Sequence, residues 1–290
     1  MTSTSSSPNI VTVASIRAFI ELFRLPAGIL AALAGCATIY ALDATIPLPQ
    51  YLLTATLLVC MTSAACAIND YWDLAKDRIN HPDRPLPSGR LSLQQAWWAA
   101  VVLFSCAAIA ALPLGFSPFV LVVISIILLW NYSHLLAYSG IFGNVIVAAT
   151  IAALIFLGSL VARRPFAMLY PMGFLFCYAL AREIIWDVHD AEGDRTQGIV
   201  TLANEWGNRA AFAIAWGLLG VLMGSIPVVL RLRTMAHPLL FAIFSAIALL
   251  TLGMALAHYQ QQRSESAYQR FNFWERLGTA FGVIALLGTA

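Results

Sequence analysis

Apolar residues run along this chain in blocks near 23–42, 51–69, 93–113, 117–135, 140–161, 168–186, 208–230, 238–258 and 273–290, parted by short polar segments. Each block approaches the roughly 20 residues that a helix needs to cross the hydrocarbon of a bilayer. Transmembrane β-strands need only about ten alternating residues, so block length argues against a β-barrel. The pattern predicts an all-α fold, a polytopic membrane helical bundle of about nine transmembrane helices. Small residues within the blocks, such as Ala31-Ala32, Gly35, Ala64-Ala65 and Ala148-Ala149, let helices approach closely. Residues 1–12 are rich in Ser and Thr, lack Lys and Arg, and do not read as a secretory signal. They are expected to form a disordered tail, with 13–290 as a single transmembrane domain.

Composition agrees with this pattern. Hydrophobic residues make up 60% of the 290 and charged residues only 10%, with a mean hydropathy of +0.80. Soluble domains are nearer a quarter charged. A cytoplasmic globular enzyme, a disordered chain and a nucleic-acid binder are excluded. The five cysteines lie inside apolar blocks without a CxxC pair, so neither zinc nor a disulfide framework is indicated. With the N-terminus inside, 12 basic residues fall in inner segments and 4 in outer ones, which predicts a cytoplasmic N-terminus and cytoplasmic active-site loops.

The scarce charge is concentrated. Seventeen of the 30 charged residues lie in 69–90 and 182–209, and these hold 10 of the 14 acids. Both segments, read as inner loops, contain D-x-x-D-x-x-x-D: Asp70/Asp73/Asp77 and Asp187/Asp190/Asp194. On a helix, positions i, i+3 and i+7 share one stripe, and Asn69, Asp73 and Asp77 form a further i, i+4, i+8 row. Carboxylates so aligned repel one another unless a cation sits among them. Oxygen-only ligands suit hard cations, and Mg²⁺ typically bridges carboxylates to substrate phosphates. Two such rows would clamp a diphosphate between metal ions.

Arg84, Arg90, Arg182 and Arg195 stand beside the acids, and guanidinium suits phosphate oxygens. Three prolines stiffen His81–Arg90, and Ser92 with Gln95 reads as a capping box. Tyr71, Trp72, Tyr132, Tyr178 and Trp186 lie near enough in sequence to face a developing carbocation, or to form an interfacial aromatic belt.

At these residues the chain resembles the UbiA superfamily of intramembrane prenyltransferases. Its first motif is similar to N-D-x-x-D-x-x-x-D, followed by an R-P-x-P-S-G segment at Arg84–Gly89. The second is similar to D-x-x-D-x-x-G-D, and Gly143-Asn144 also fits. Arg182–Asp194 looks most like the digeranylgeranylglyceryl phosphate synthase branch, a pattern shared with chlorophyll synthases. The resemblance implies Mg²⁺-dependent transfer of a prenyl group from a C10–C20 isoprenyl diphosphate to a hydrophobic or aromatic acceptor in membrane lipid. Ionisation would release diphosphate, and the acceptor would capture the allylic cation. Metal ligands would be Asn69, Asp70, Asp73, Asp77, Asp187, Asp190 and Asp194. Asp73, Asp77, Asp190 and Asp194 would carry the chemistry, with Asp77 or Asp194 alternatively a base. Asn69, Arg84, Arg182 and Tyr132 would hold the diphosphate.

Two features depart from the family pattern. Arg24-Leu25-Pro26-Ala27 lacks the usual Asn, and no Lys follows Tyr132, where His134 is a possible substitute. A terpene cyclase on the same fold is the near alternative. A cation-coupled transporter is the distant one, since intramembrane acids also mark ion paths.

Overall fold

The computed structural model describes residues 8–132 and 141–289. They form α1 (Pro8–Phe23), α2 (Leu25–Leu42), α3 (Leu48–Trp72), α4 (Leu74–Asn80), α5 (Leu93–Ala111), α6 (Phe116–Asn131), α7 (Ile141–Val161), α8 (Leu169–Thr196), α9 (Leu202–Leu232), α10 (Pro238–Gln262) and α11 (Glu265–Leu286). No strand occurs among the described residues. Every apolar block coincides with a helix. Six helices are long and apolar enough to cross a membrane: α2, α3, α5, α7, α9 and α10. Helix α6 is apolar but has only 16 residues, and α8 and α11 carry charge along their length. Residues 1–7 of the expected tail and His134 lie outside the described residues, and α1 begins at Pro8, within that tail.

Local sequence sets several boundaries. Ser92 accepts from Gln95 N while the Gln95 side chain accepts from Ser92 N, the expected capping box at the start of α5. Thr201 and Ser264 cap α9 and α11 by accepting from Asn204 N and Ala267 N.

The packing follows chain order. Helices α2, α3, α5, α6, α7, α8, α9, α10 and α11 each contact the next, and α11 returns to α2. Small residues let α2 sit deep in this circuit. A Cβ on Gly35 would lie 2.4 Å from Leu58 Cδ1, and one on Gly158 would lie 2.8 Å from Thr38 Cβ. These are the close backbone approaches that Gly permits in lipid. The outer surface is apolar: Ile109, Val221 and Met254 are 65%, 67% and 72% exposed. Side chains of that kind are at home against acyl chains. Buried residues gather into two main cores, one around α3 and α5 and one around α8 to α11.

The two acidic segments are helical, which corrects their reading as loops. Helix α3 runs through Asp70 to Trp72, and α4 resumes at Leu74. The second segment continues α8 without a break to Thr196, ten residues past the expected span end. Nothing between Trp186 and Gly193 stops a helix, and ten residues extend it by about 15 Å.

Candidate active site

The first acidic row survives a mild bend. Asp73 adopts φ −87°, ψ 7° between α3 and α4, yet Asp73 N donates to Asn69 O and Asp77 N to Asp73 O, both at 2.8 Å. The i→i−4 ladder is therefore kept, and Asn69, Asp70, Asp73 and Asp77 remain on adjoining turns. The second row stands on uninterrupted helix in α8.

A side-chain amide locks the rows together. Asn80 Nδ2 donates to Asp190 O at 3.0 Å, and Gly193 N donates to Asn80 Oδ1 at 3.1 Å. This approach requires a glycine. A Cβ on Gly193 would fall 2.4 Å from Asn80 Nδ2. Gly193→Ala is expected to destabilise the protein by about 1–3 kcal/mol and to lower turnover by pushing α4 from α8. Thermal unfolding in detergent checks this, and an unchanged midpoint would contradict the close approach.

Cations and amides meet nearly every acid. Arg84 Nη1 donates to both oxygens of Asp77 at 2.8 Å and lies 3.7 Å from Asp70 Oδ1. Arg24, at φ 45° and ψ 48° ahead of α2, reaches Asp70 Oδ1 at 2.8 Å. Lys76 Nζ lies 3.2 Å from Asp73 Oδ2 and 3.4 Å from Asp194 Oδ1, tying one row to the other. Asn144 Nδ2 donates to Asp187 Oδ2 at 2.7 Å. His81 Nε2 is 3.1 Å from Asp190 Oδ1. Tyr132 lies within electrostatic reach of Asp73, Asp187 and Asp194, so α6 also faces the rows.

Negative charge is still in excess at these helix ends. Burial, then Asp194, Glu183 and Asp190, push the Asp187 carboxyl up to about 8 against the Asn144 hydrogen bond. Burial likewise raises Asp194 to about 6, with Asp190 and Asp73 adding to the rise and Lys76 opposing it. Burial also raises Asp73 and Asp77 in spite of Lys76 and Arg84. Asp190 goes the other way. Burial would raise it, but the His81 hydrogen bond and charge hold it below the usual range. Burial disfavours the Lys76 ammonium, yet Asp73, Asp194 and Asp190 outweigh that and keep it charged. Asp194 Oδ1 is buried, with the Lys76 ammonium at 3.4 Å as its neighbour. Gathered carboxylate oxygens with raised proton affinity fit a hard divalent cation.

Some expected residues stand elsewhere. Arg182 donates to Glu183 Oε1 at 2.6 Å and Glu275 Oε1 at 3.2 Å, with its guanidinium 4.5 Å over the Trp186 ring. It joins α8 to α11, with these two carboxylates as its partners. Trp186 Nε1 donates to Asn272 and Tyr178 Oη to Glu275 O, so their polar ends also turn to α11. Tyr71 and Trp72 enter a cluster with Trp97, which meets Trp130 at 4.8 Å. Arg195 donates to Asn204 Oδ1 at 3.4 Å, an exposed contact away from the rows. Lys76, Asn80, His81 and Arg24 had been given no place at the rows. Lys76, a lone cation inside an acidic row, was the one visible signal.

The sequence profile of the UbiA prenyltransferase family matches residues 29–277. Over 215 residues the chain is 33% identical to the digeranylgeranylglyceryl phosphate synthase of Sulfolobus acidocaldarius, covering 73% of this chain and 78% of that one. It is 33% identical over 206 residues to the enzyme of the same name from Methanothermobacter thermautotrophicus, covering 71% and 70%. In fold it is similar to a UbiA homolog from Aeropyrum pernix K1 in its apo form, with TM-score 0.73, 17% identity, and 90% and 98% of the two chains covered. A UbiA homolog from Archaeoglobus fulgidus bound to GPP and Mg²⁺ gives TM-score 0.71, 15% identity, and 93% and 99% coverage.

Proposed function

This chain belongs to the UbiA prenyltransferase family, and we propose that it transfers a C10–C20 prenyl group from an isoprenyl diphosphate to a lipid alcohol within the membrane. It is an integral membrane prenyltransferase. The donor and metal are supported by the Archaeoglobus fulgidus homolog, which binds GPP and Mg²⁺. The acceptor is supported by the relatives named for digeranylgeranylglyceryl phosphate synthesis. The observation that carries the reading is the meeting of two carboxylate rows through Lys76 and Asn80.

Asp70, Asp73 and Asp77 on one side and Asp187, Asp190 and Asp194 on the other would hold Mg²⁺, with Asn69 beside them. Bound Mg²⁺ supplies positive charge to the oxygens of the departing diphosphate. Lys76, between the rows, adds a charge-assisted donor at the same place. Arg84 and Arg24 fix the carboxylates of the first row. Tyr132 stands near the rows, where an aromatic ring would stabilise developing allylic charge. The C1–O bond to diphosphate would break as the alcohol oxygen bonds C1, and the alcohol proton would pass to the departing diphosphate. The basic-residue imbalance supports a cytoplasmic position for this end of the bundle.

Chelation with EDTA is expected to abolish turnover and Mg²⁺ to restore it. Turnover that survives chelation contradicts the metal-holding role of the rows. Lipid alcohols should be prenylated in preference to aromatic acceptors when both are offered with labelled donor. Exclusive aromatic prenylation would overturn the acceptor assignment alone.

A further inference from the structure

Where the second row meets the end of α4 lies a cluster of different chemistry, whose two histidines, His81 and His189, have no part in the reaction above. Ligand atoms of His81, His189 and Asp190 all fall within 4.8 Å of one another. His81 Nε2 stands 3.1 Å from Asp190 Oδ1. His189 lies flat on Tyr268, with ring centroids 3.5 Å apart and planes at 9°. Its Nδ1 is 3.3 Å from Tyr259 Oη and its Nε2 is 3.3 Å from Glu265 Oε2.

The donor set differs in kind from the rows. Oxygen alone suits Mg²⁺, whereas imidazole nitrogen with a carboxylate suits Zn²⁺, Co²⁺ or Ni²⁺. We propose that His81, His189 and Asp190 form a transition-metal site for an ion of the Zn²⁺ class, separate from the Mg²⁺ rows and joined to them through Asp190.

The geometry needs little change. Bonds of about 2.0–2.2 Å place neighbouring ligand atoms roughly 3.3 Å apart around a tetrahedral ion. His81 and Asp190 already meet this spacing. The His189 ring must close by at most about 1.5 Å, and its two existing contacts are at the long end of hydrogen bonding. Stacking on Tyr268 keeps its plane aligned during that shift. His81 follows the end of α4 with φ −141° and ψ 59°, so its ring is not held by helical backbone. One ring nitrogen of His189 exchanges its present contact for the ion, and the partner on the other nitrogen, Tyr259 or Glu265, stays as the outer group that usually orients a ligating histidine. An ion here takes up the Asp190 carboxylate and so opposes Mg²⁺-dependent turnover. The site rests on its own geometry, and only this inhibition depends on the prenyl-transfer reading.

Co²⁺ serves as the probe, because its visible absorption strengthens when it leaves octahedral water for a site of lower coordination number, and the histidine variants then report nitrogen ligation. Purified full-length protein in detergent with excess Mg²⁺ is titrated with Co²⁺. Saturable absorption at one equivalent is expected, with affinity falling about tenfold or more in His81→Gln and in His189→Gln. Absence of Co²⁺ absorption overturns the site. So does Co²⁺ binding that neither substitution weakens, which assigns the ion to the carboxylate rows. Turnover assays on the same preparations keep the two readings apart. Histidine-dependent Co²⁺ binding in a protein without Mg²⁺-dependent turnover supports this site and removes the prenyl-transfer reading.

Discussion

Asp73→Ala and Asp190→Ala each lower turnover by about a thousandfold, roughly 4 kcal/mol of transition-state stabilisation, and leave the helical fold intact. These two side chains are partly accessible, 15% and 21% exposed, and Asp187 is likewise only half-buried. Those of Asp70, Asp77 and Asp194 are 3%, 1% and 3% exposed. Partly accessible acids can meet an arriving diphosphate, so their loss is expected to fall on the reaction. Removing Asp73 leaves Lys76 its second partner, Asp194. Removing Asp190 costs His81 one contact and leaves the Asn80 clamp, which binds backbone atoms of α8. Initial rates at saturating Mg²⁺, paired with circular dichroism, separate the effects. Full activity in either variant would refute the shared role of the rows.

Arg84→Ala acts through the opposite balance, with a large loss of stability. Its guanidinium neutralises Asp77, a carboxylate wholly removed from solvent, and helps neutralise Asp70. Taking away one partner of a buried pair leaves an uncompensated charge and costs about 3–5 kcal/mol. Arg84 is itself 28% exposed, which favours the lower end of that range. The thermal midpoint in detergent should fall by several degrees, and α4 should lose its place under the rows. Arg84→Lys recovers part of the stability, because a single ammonium cannot reproduce the paired contact to both Asp77 oxygens. An Arg84→Ala protein that melts like the parent would show that Asp77 is neutral or finds another cation.

Much of this was legible in the order of residues. Apolar blocks of helical length located nine of the helices, since the bilayer imposes one length on every crossing. The repeated acidic spacing pointed to one stripe on each of α3–α4 and α8. Pairing across the fold was not legible. Arg24 and Asp70 are 46 residues apart, and Asn80 and Gly193 are 113 apart. No local pattern links such positions, because only the closed circuit of helices brings them together. Polarity after Trp186 suggested a loop, yet helix needs no apolar residues once it leaves the hydrocarbon and is held by Asn80. Arg182 shows the same limit. Beside an acidic row it reads as a phosphate ligand, and its partner Glu275, 93 residues later, has no local signal. The departure after Tyr132, with His134, lies outside the described residues.

The central claim is that these rows use Mg²⁺ to release diphosphate so that a membrane acceptor captures the prenyl group. Its most direct measurement gives purified protein Mg²⁺ and labelled C10–C20 prenyl diphosphates, with and without a lipid alcohol, and follows the label. The account predicts prenylated alcohol only when Mg²⁺ and acceptor are both present. Hydrocarbon formed without acceptor would identify a cyclase, and intact diphosphate under every condition would contradict the account outright.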